Sequence, residues 1–229
     1  MIEFFSRFFQ QIYDVLIEKD RWLLLLEGLG MTLLISFCAI LIGTVVGVVF
    51  ALCKVSNNWL LRGIAEVYTT ILRGIPLATQ LMIFYFVIFA PLGWDRNLVA
   101  IIGFGLNSGA YVTEIIRAGI QGVDPGQMEA GRSLGLSRGI TMQKIILPQA
   151  IKAVLPTYAN EFIVLIKETS VASFIAVMDL TMASNMIRNA TYNAWIPLLT
   201  VAAIYLLLTL GLTNLFGMFE RRLARSDRG

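Results

Sequence analysis

Glu161 stands near the middle of a largely apolar stretch, Ala150 to Val177, and no cation on its own helix can satisfy it. At about 100° per residue, Lys167 lies roughly 240° round from it and Lys152 on the opposite side, while Glu168 shares its face with the same charge. An ionisable group so placed is costly and marks a functional site. Either Glu161 lines a path for positively charged solutes, or an Arg of another helix holds it, Arg73 being the obvious donor. Asn107, Ser108 and Tyr111 fall within about one turn of each other, with Gln80 at matching depth on the preceding stretch. They could complete a binding pocket, or serve as hydrogen bonds between helices. Glu114 and Arg117, three apart, and Arg62 and Glu66, four apart, read as neutralising pairs.

The rest of the reactive inventory is short. The chain has no His, which removes Ser-His and Cys-His nucleophile pairs and imidazole metal sites. Its 2 Cys, Cys38 and Cys53, lie inside one apolar run and make no disulfide scaffold. An enzyme working within the membrane would need paired Asp or a Ser-Lys dyad. Asp95, Asp124 and Asp179 all fall at loops or edges, and Ser170 or Ser173 with Lys167 has no supporting pattern. No Gly-rich loop ends in Gly-Lys-Ser/Thr, so the chain cannot cradle ATP phosphates itself. Met178, Met182 and Met186 read as packing or as contacts with a partner's loops. No catalytic residue, metal or cofactor is expected.

These residues must be positioned by helices in lipid. Of 229 residues 57% are hydrophobic and only 14% charged, with a mean hydropathy of +0.75. Soluble domains run nearer a quarter charged, so the expectation is an all-α integral membrane protein. Five spans are expected: Trp22–Cys53, one within Arg62–Ala90, Leu98–Ile120, about Ala150–Val177, and Trp195–Phe219. Gly43 and Gly47 could admit another helix closely, and Gly74 and Pro76 free backbone groups, as membranes tolerate only in buried or cavity-lining places. Trp94, Tyr192 and Trp195 read as interfacial anchors. Residues 1–21 lack the pattern of a signal peptide. Phe5, Phe8, Phe9, Ile12 and Leu16 recur there at helical spacing, which suggests an amphipathic helix in the headgroup region. Membrane body and basic tail then occupy 22–220 and 221–229.

The net charge of +3 sorts by loop. Lys54 and Arg62, then Arg132, Arg138, Lys144 and Lys152, then Arg221, Arg222, Arg225 and Arg228 fall on one side; Arg96 and Arg188 fall on the other. The rule that basic loops stay inside puts the N-terminus outside, and the 121–148 loop and C-terminus in the cytoplasm. Within that loop Asp124 can cap a helix opening at Pro125 and ending at Gly135. A second helical stretch, Ser137–Leu147, follows. The expected shape is a short helix on a stalk, suited to receive a push from a soluble partner.

Glu129-Ala130-Gly131, three residues, Gly135, nine residues, Ile145, one residue, then Leu147-Pro148 resembles the EAA loop of ABC-importer permeases. Only Gly131 departs, where that family usually has Ala, and this could loosen the helix slightly. Arg73-Gly74-Ile75-Pro76-Leu77 with Gln80, Ala110-Tyr111 with Glu114 and Arg117, and Asn160-Glu161 with Lys167-Glu168-Thr169-Ser170 look like its polar amino-acid uptake subfamily. The resemblance implies a type I ABC importer transmembrane fold in a bacterial inner membrane. It also implies a dimer with a like or similar permease, cytoplasmic ATP-binding cassette subunits, and an extracytoplasmic binding protein. Glu129, Ala130, Gly131, Leu134 and Gly135 would dock the ATPase, and Glu161, Asn107, Ser108, Tyr111 and Gln80 the substrate. A secondary transporter is the nearer rival, but it needs no such loop and would usually carry inverted repeats.

Overall fold

The structure is a computed structural model describing residues 10–226. Phe4, Phe5, Phe8, Phe9 and Arg228 of the expected terminal segments lie outside the described residues. Among those described, every regular element is helical. A π-helical turn, Tyr13–Ile17, precedes α1 (Trp22–Val55) and α2 (Trp59–Gly74). Helix α3 (Leu77–Met82) widens through Ile83–Phe89 and tightens at Ala90–Leu92. Then come α4 (Arg96–Gln121), α5 (Pro125–Ser133) and α6 (Arg138–Thr141), which runs through Met142–Ile146 into α7 (Leu147–Glu168). A 3-10 stretch, Thr169–Ile175, leads to α8 (Leu180–Thr191) and α9 (Trp195–Ser226).

Among the described residues three helices are long and apolar enough to cross a membrane: Trp22–Val55, Arg96–Gln121 and Trp195–Arg222. The pair Trp59–Gly74 and Leu77–Leu92 makes a fourth when counted as one broken span. Helix α7, within the expected span Ala150–Val177, has 22 residues but is not apolar enough to count with these; Lys152, Glu161, Lys167 and Glu168 hold its hydropathy down. The interruption after α2 has a local cause. A residue preceding proline is driven out of the helical region, and Ile75 before Pro76 is extended, at φ −102° and ψ 135°.

The chain forms two compact units. The first comprises 10–38, Leu77–Phe104 and Val164–Leu212. Its core joins Val15 and Leu16 to Leu25, Leu180, Ala183, Ile187, Ile196 and Val201. In the N-terminal segment expected to lie in the headgroup region, Leu16 and its neighbour Val15 are buried in protein while Tyr13 and Ile17 are exposed. The reason is α8, unassigned by the sequence reading. Leu180, Ala183 and Ile187 recur along one helical face, and the Tyr13–Ile17 turn helps to cover it. Arg21 donates from Nη1 to the Asp14 and Val15 carbonyls, each at 3.0 Å, and closes that turn.

The second unit comprises Ala39–Pro76, Gly105–Ile163 and 213–226. Here α1 and α4 meet at small residues. A methyl group on Gly47 would come 2.5 Å from Val112 Cγ1, and one on Gly43 3.1 Å from Ser108 Cβ. Gly105 and Gly109 answer from α4 against Ile42 and Val46, at 2.8 and 3.0 Å. Close backbone approach through small residues is how helices associate where lipid removes the hydrophobic drive.

Candidate functional site

Within the second unit α4 carries a column of polar groups, and its neighbours satisfy them one by one. Tyr68 of α2 donates its hydroxyl to the Leu106 carbonyl at 2.6 Å. Asn107 Nδ2 donates to the Leu72 carbonyl at 3.0 Å, in the last turn of α2. Ser108 Oγ donates to Glu161 Oε1 at 2.9 Å, and Glu161 is 8% exposed. Of the residues that could share a pocket or bond between helices, Ser108 and Glu161 are in contact, and Asn107 is buried one residue from Ser108. Tyr111, a turn on, stacks beneath the Arg73 guanidinium, 5.3 Å from ring centre to Cζ. Gln80 is buried in the first unit.

One turn beyond Tyr111, Glu114 is the centre of an ion cluster. Arg117 reaches its Oε2 through Nε and Nη2 at 2.9 and 2.7 Å, the helical pair expected from the sequence. Lys54 Nζ bonds the other oxygen, and Arg73 Nη1 stands 3.9 Å from Oε2. Glu66 does not pair with Arg62 as its spacing suggested. It reaches Lys54 Nζ at 2.8 Å, because a buried ammonium at the end of α1 draws carboxylates from two other helices. Lys54 was missed as a site residue, and its signal was plain: it is the only cation in the 34 residues of α1.

The loop from Asp124 onward is built by local rules. Asp124 Oδ1 accepts from the Gly126 amide at 2.8 Å, with Pro125 opening α5. At the other end the Gly135 amide bonds the Arg132 carbonyl at 3.0 Å and the Leu136 amide bonds the Gly131 carbonyl at 3.1 Å. This double closure requires a left-handed residue, and Gly135 supplies φ +83°. Glu129, Ala130, Leu134 and Gly135 are exposed, Leu134 to 80%, whereas Gly131 is buried against Thr141. The missing methyl at Gly131 lets α6 pack directly on α5, a packing reason for Gly there beside its weaker helix propensity. Gln149 of α7 reaches Gln127 at 3.4 Å, a thin link from this loop to the next long helix.

A short helix capped at both ends thus lies in sequence between long helices, and one of these buries a carboxylate. The model of the family described as "Binding-protein-dependent transport system inner membrane component" matches residues 24–225. The chain belongs to this family. The permease is 42% identical over 215 residues to the putative glutamine transport system permease protein GlnP of Rickettsia bellii, covering 93% of this chain and 99% of that protein. It is 42% identical over 205 residues to the arginine transport system permease protein ArtQ of Bacillus subtilis, covering 89% and 94%. Among solved structures it resembles an amino acid ABC transporter described with histidines, at TM-score 0.83 and 42% identity, covering 87% and 94%. The MetNI methionine ABC transporter, at 20% identity and TM-score 0.76 over 90% and 98%, shares the fold.

Proposed function

We propose that the permease forms the path of an ATP-driven amino-acid importer and favours a basic amino acid. The relatives named for glutamine and arginine support the substrate class. The observation that carries the preference is Glu161 itself, a carboxylate buried on α7 where it accepts from the Ser108 hydroxyl at 2.9 Å. A carboxylate so placed offers a cationic side chain a charged partner within a low-dielectric wall. Asn107 and Tyr111 of the same unit complete the substrate's surroundings.

A chain without a nucleotide-cradling loop borrows its motor. In this reading α5, through Glu129, Ala130, Leu134 and Gly135, docks on an ATP-binding cassette subunit in the cytoplasm. Gly131 holds α5 on its stalk. The permease pairs with a second copy or a similar subunit, its N-terminus outside, and takes its cargo from an extracytoplasmic binding protein. Its organisation is an interfacial segment 1–21, the body 22–220 with the 121–148 loop, and the tail 221–229. It performs no catalysis of its own. Nucleotide-driven closure of the motor moves α5, and the pocket must change affinity between its two orientations, because a ligand bound equally in both shifts nothing.

The experiment is uptake of arginine, lysine, histidine, glutamine and glutamate by the assembled complex in proteoliposomes. Glu161→Gln is expected to cut arginine and lysine uptake about tenfold or more while sparing glutamine. Unchanged arginine and lysine transport would overturn the role of Glu161.

A further inference from the structure

A cavity of about 600 Å³ opens in the second unit between α1, α2 and α4, lined by Lys54, Arg62, Glu66, Arg73, Glu114 and Arg117 together with threonines of α2. Glu161 does not line it. Its four cations and two carboxylates leave two positive charges in excess. The carboxylates are already engaged: Glu114 with Lys54, Arg117 and Arg73, and Glu66 with Lys54. Arg62 makes no ion pair within 4.0 Å among the described residues, and Arg73 keeps a side chain 43% exposed. The two guanidiniums therefore face an open volume with unspent donors, and guanidinium forks select planar carboxylates. Beside them Glu66, 64% exposed, has surface left to accept from an ammonium.

We propose that this cavity is a second amino-acid site that reads the zwitterionic head group common to all amino acids. Arg62 and Arg73 take the α-carboxylate and Glu66 the α-ammonium. The inference rests on the amino-acid reading above and deepens it, dividing labour between two places. The cavity reads the head whatever the side chain; Glu161 reads the side chain. The volume suits this, since small-molecule pockets span about 300–1,000 Å³. Open space beyond the charges leaves any side chain unexamined.

The test measures equilibrium binding to the purified complex, without nucleotide or binding protein, of arginine, glutamine, and the decarboxylated and carboxamide analogues of arginine. Both analogues are expected to bind about tenfold more weakly than arginine. Arg62→Gln and Arg73→Gln should each weaken arginine and glutamine by the same factor, leaving their ratio unchanged, and Arg62→Lys, which keeps the charge but not the fork, should recover only part of the loss. Analogues that bind as tightly as arginine, or unchanged binding in both Gln variants, would overturn the site while leaving amino-acid uptake by the parent intact. If phosphatidylglycerol displaces arginine from the parent, the occupant is a lipid headgroup and the proposal falls. A parent complex that takes up no amino acid would remove the functional reading first, and this inference with it.

Discussion

Gly131 and Thr141 approach so closely that no β-carbon fits between them: one built on Gly131 would lie 2.5 Å from the Thr141 methyl and 2.9 Å from its hydroxyl. Thr141 cannot swing aside cheaply, because its Oγ1 donates to the Ser137 carbonyl at 3.0 Å. Overpacking of this kind costs about 1–3 kcal/mol, and the better helix propensity of Ala returns up to about 1 kcal/mol. Gly131→Ala should therefore lower the unfolding temperature of the purified permease by a few degrees. Thr141→Ser, which removes the methyl and keeps the hydroxyl, should restore it in the double variant. A Gly131→Ala protein as stable as the parent would mean that the contact relaxes freely.

The ion cluster predicts a ranking. Glu114 and Glu66 both bind Lys54, but their side chains are 17% and 64% exposed. Removing one partner from a buried pair costs about 3–5 kcal/mol, whereas exposed pairs contribute about 0–1 kcal/mol. Glu114 is partly screened, so Glu114→Gln should cost roughly 2–3 kcal/mol, within that buried-pair limit. Glu66→Gln should cost under about 1 kcal/mol. Thermal unfolding of the two variants side by side gives the comparison, and equal losses would contradict it.

How far the sequence shows these features depends on how local they are. Asp124, Pro125 and Gly135 delimit α5 as their chemistry dictates, since each acts on backbone within a few residues. Glu114 with Arg117 is likewise a one-turn matter. Glu66 misleads because its spacing to Arg62 is right for a helix pair, while the stronger competitor, Lys54, arrives from another helix across the Val55–Asn58 turn. The contact of Ser108 with Glu161 spans 53 positions, and residue types alone suggest proximity without supplying the bond. Helix α8 was hidden by its modest hydropathy, although Asp179 before Leu180, Ala183 and Ile187 is a cap followed by a helical stripe. The break at Pro76 was visible as chemistry but not as a helix end, because an apolar run of that length reads as a single span.

Asp179 makes a pH prediction. Its carboxylate accepts from the Met182 and Thr181 amides at 2.9 and 3.0 Å and caps α8, yet complete burial raises its pKa above the usual 3.8, outweighing those bonds. A raised acid pKa means that the folded state holds the proton more tightly than the unfolded one. Stability is then greatest at or below the unfolded value and is lost as pH rises through the folded one. Asp179→Asn keeps an acceptor for the cap without a charge, and should flatten this slope as pH rises above the ordinary carboxylate range. Asp179→Ala should cost about 1–2 kcal/mol at acidic pH, and less as pH rises, because it removes the titrating group along with the cap. Unfolding midpoints measured as pH rises test both, and a slope that persists in Asp179→Asn would place the titrating group elsewhere.

Two glycines of α1 in the first unit lie two residues apart and should behave oppositely. A methyl on Gly28 would strike the Asp179 carbonyl oxygen at 2.7 Å and Leu180 Cα at 2.9 Å, both backbone atoms that cannot rotate away. At Gly30 nothing lies within 4 Å. Gly28→Ala must therefore push α8 from its seat, opening the packing around Leu25, Leu180 and Ala183, with a cost of about 2 kcal/mol or more by analogy with overpacked cores. Gly30→Ala meets no obstacle and removes backbone freedom from the unfolded chain, a gain of about 0.5–1 kcal/mol. The comparison is clean because both substitutions add the same methyl to the same helix, so differences in membrane insertion cancel. Unfolding midpoints in detergent should bracket the parent, Gly28→Ala below and Gly30→Ala level or above. Both variants moving together would mean that the close approach of α1 to the start of α8 does not set the stability of this unit.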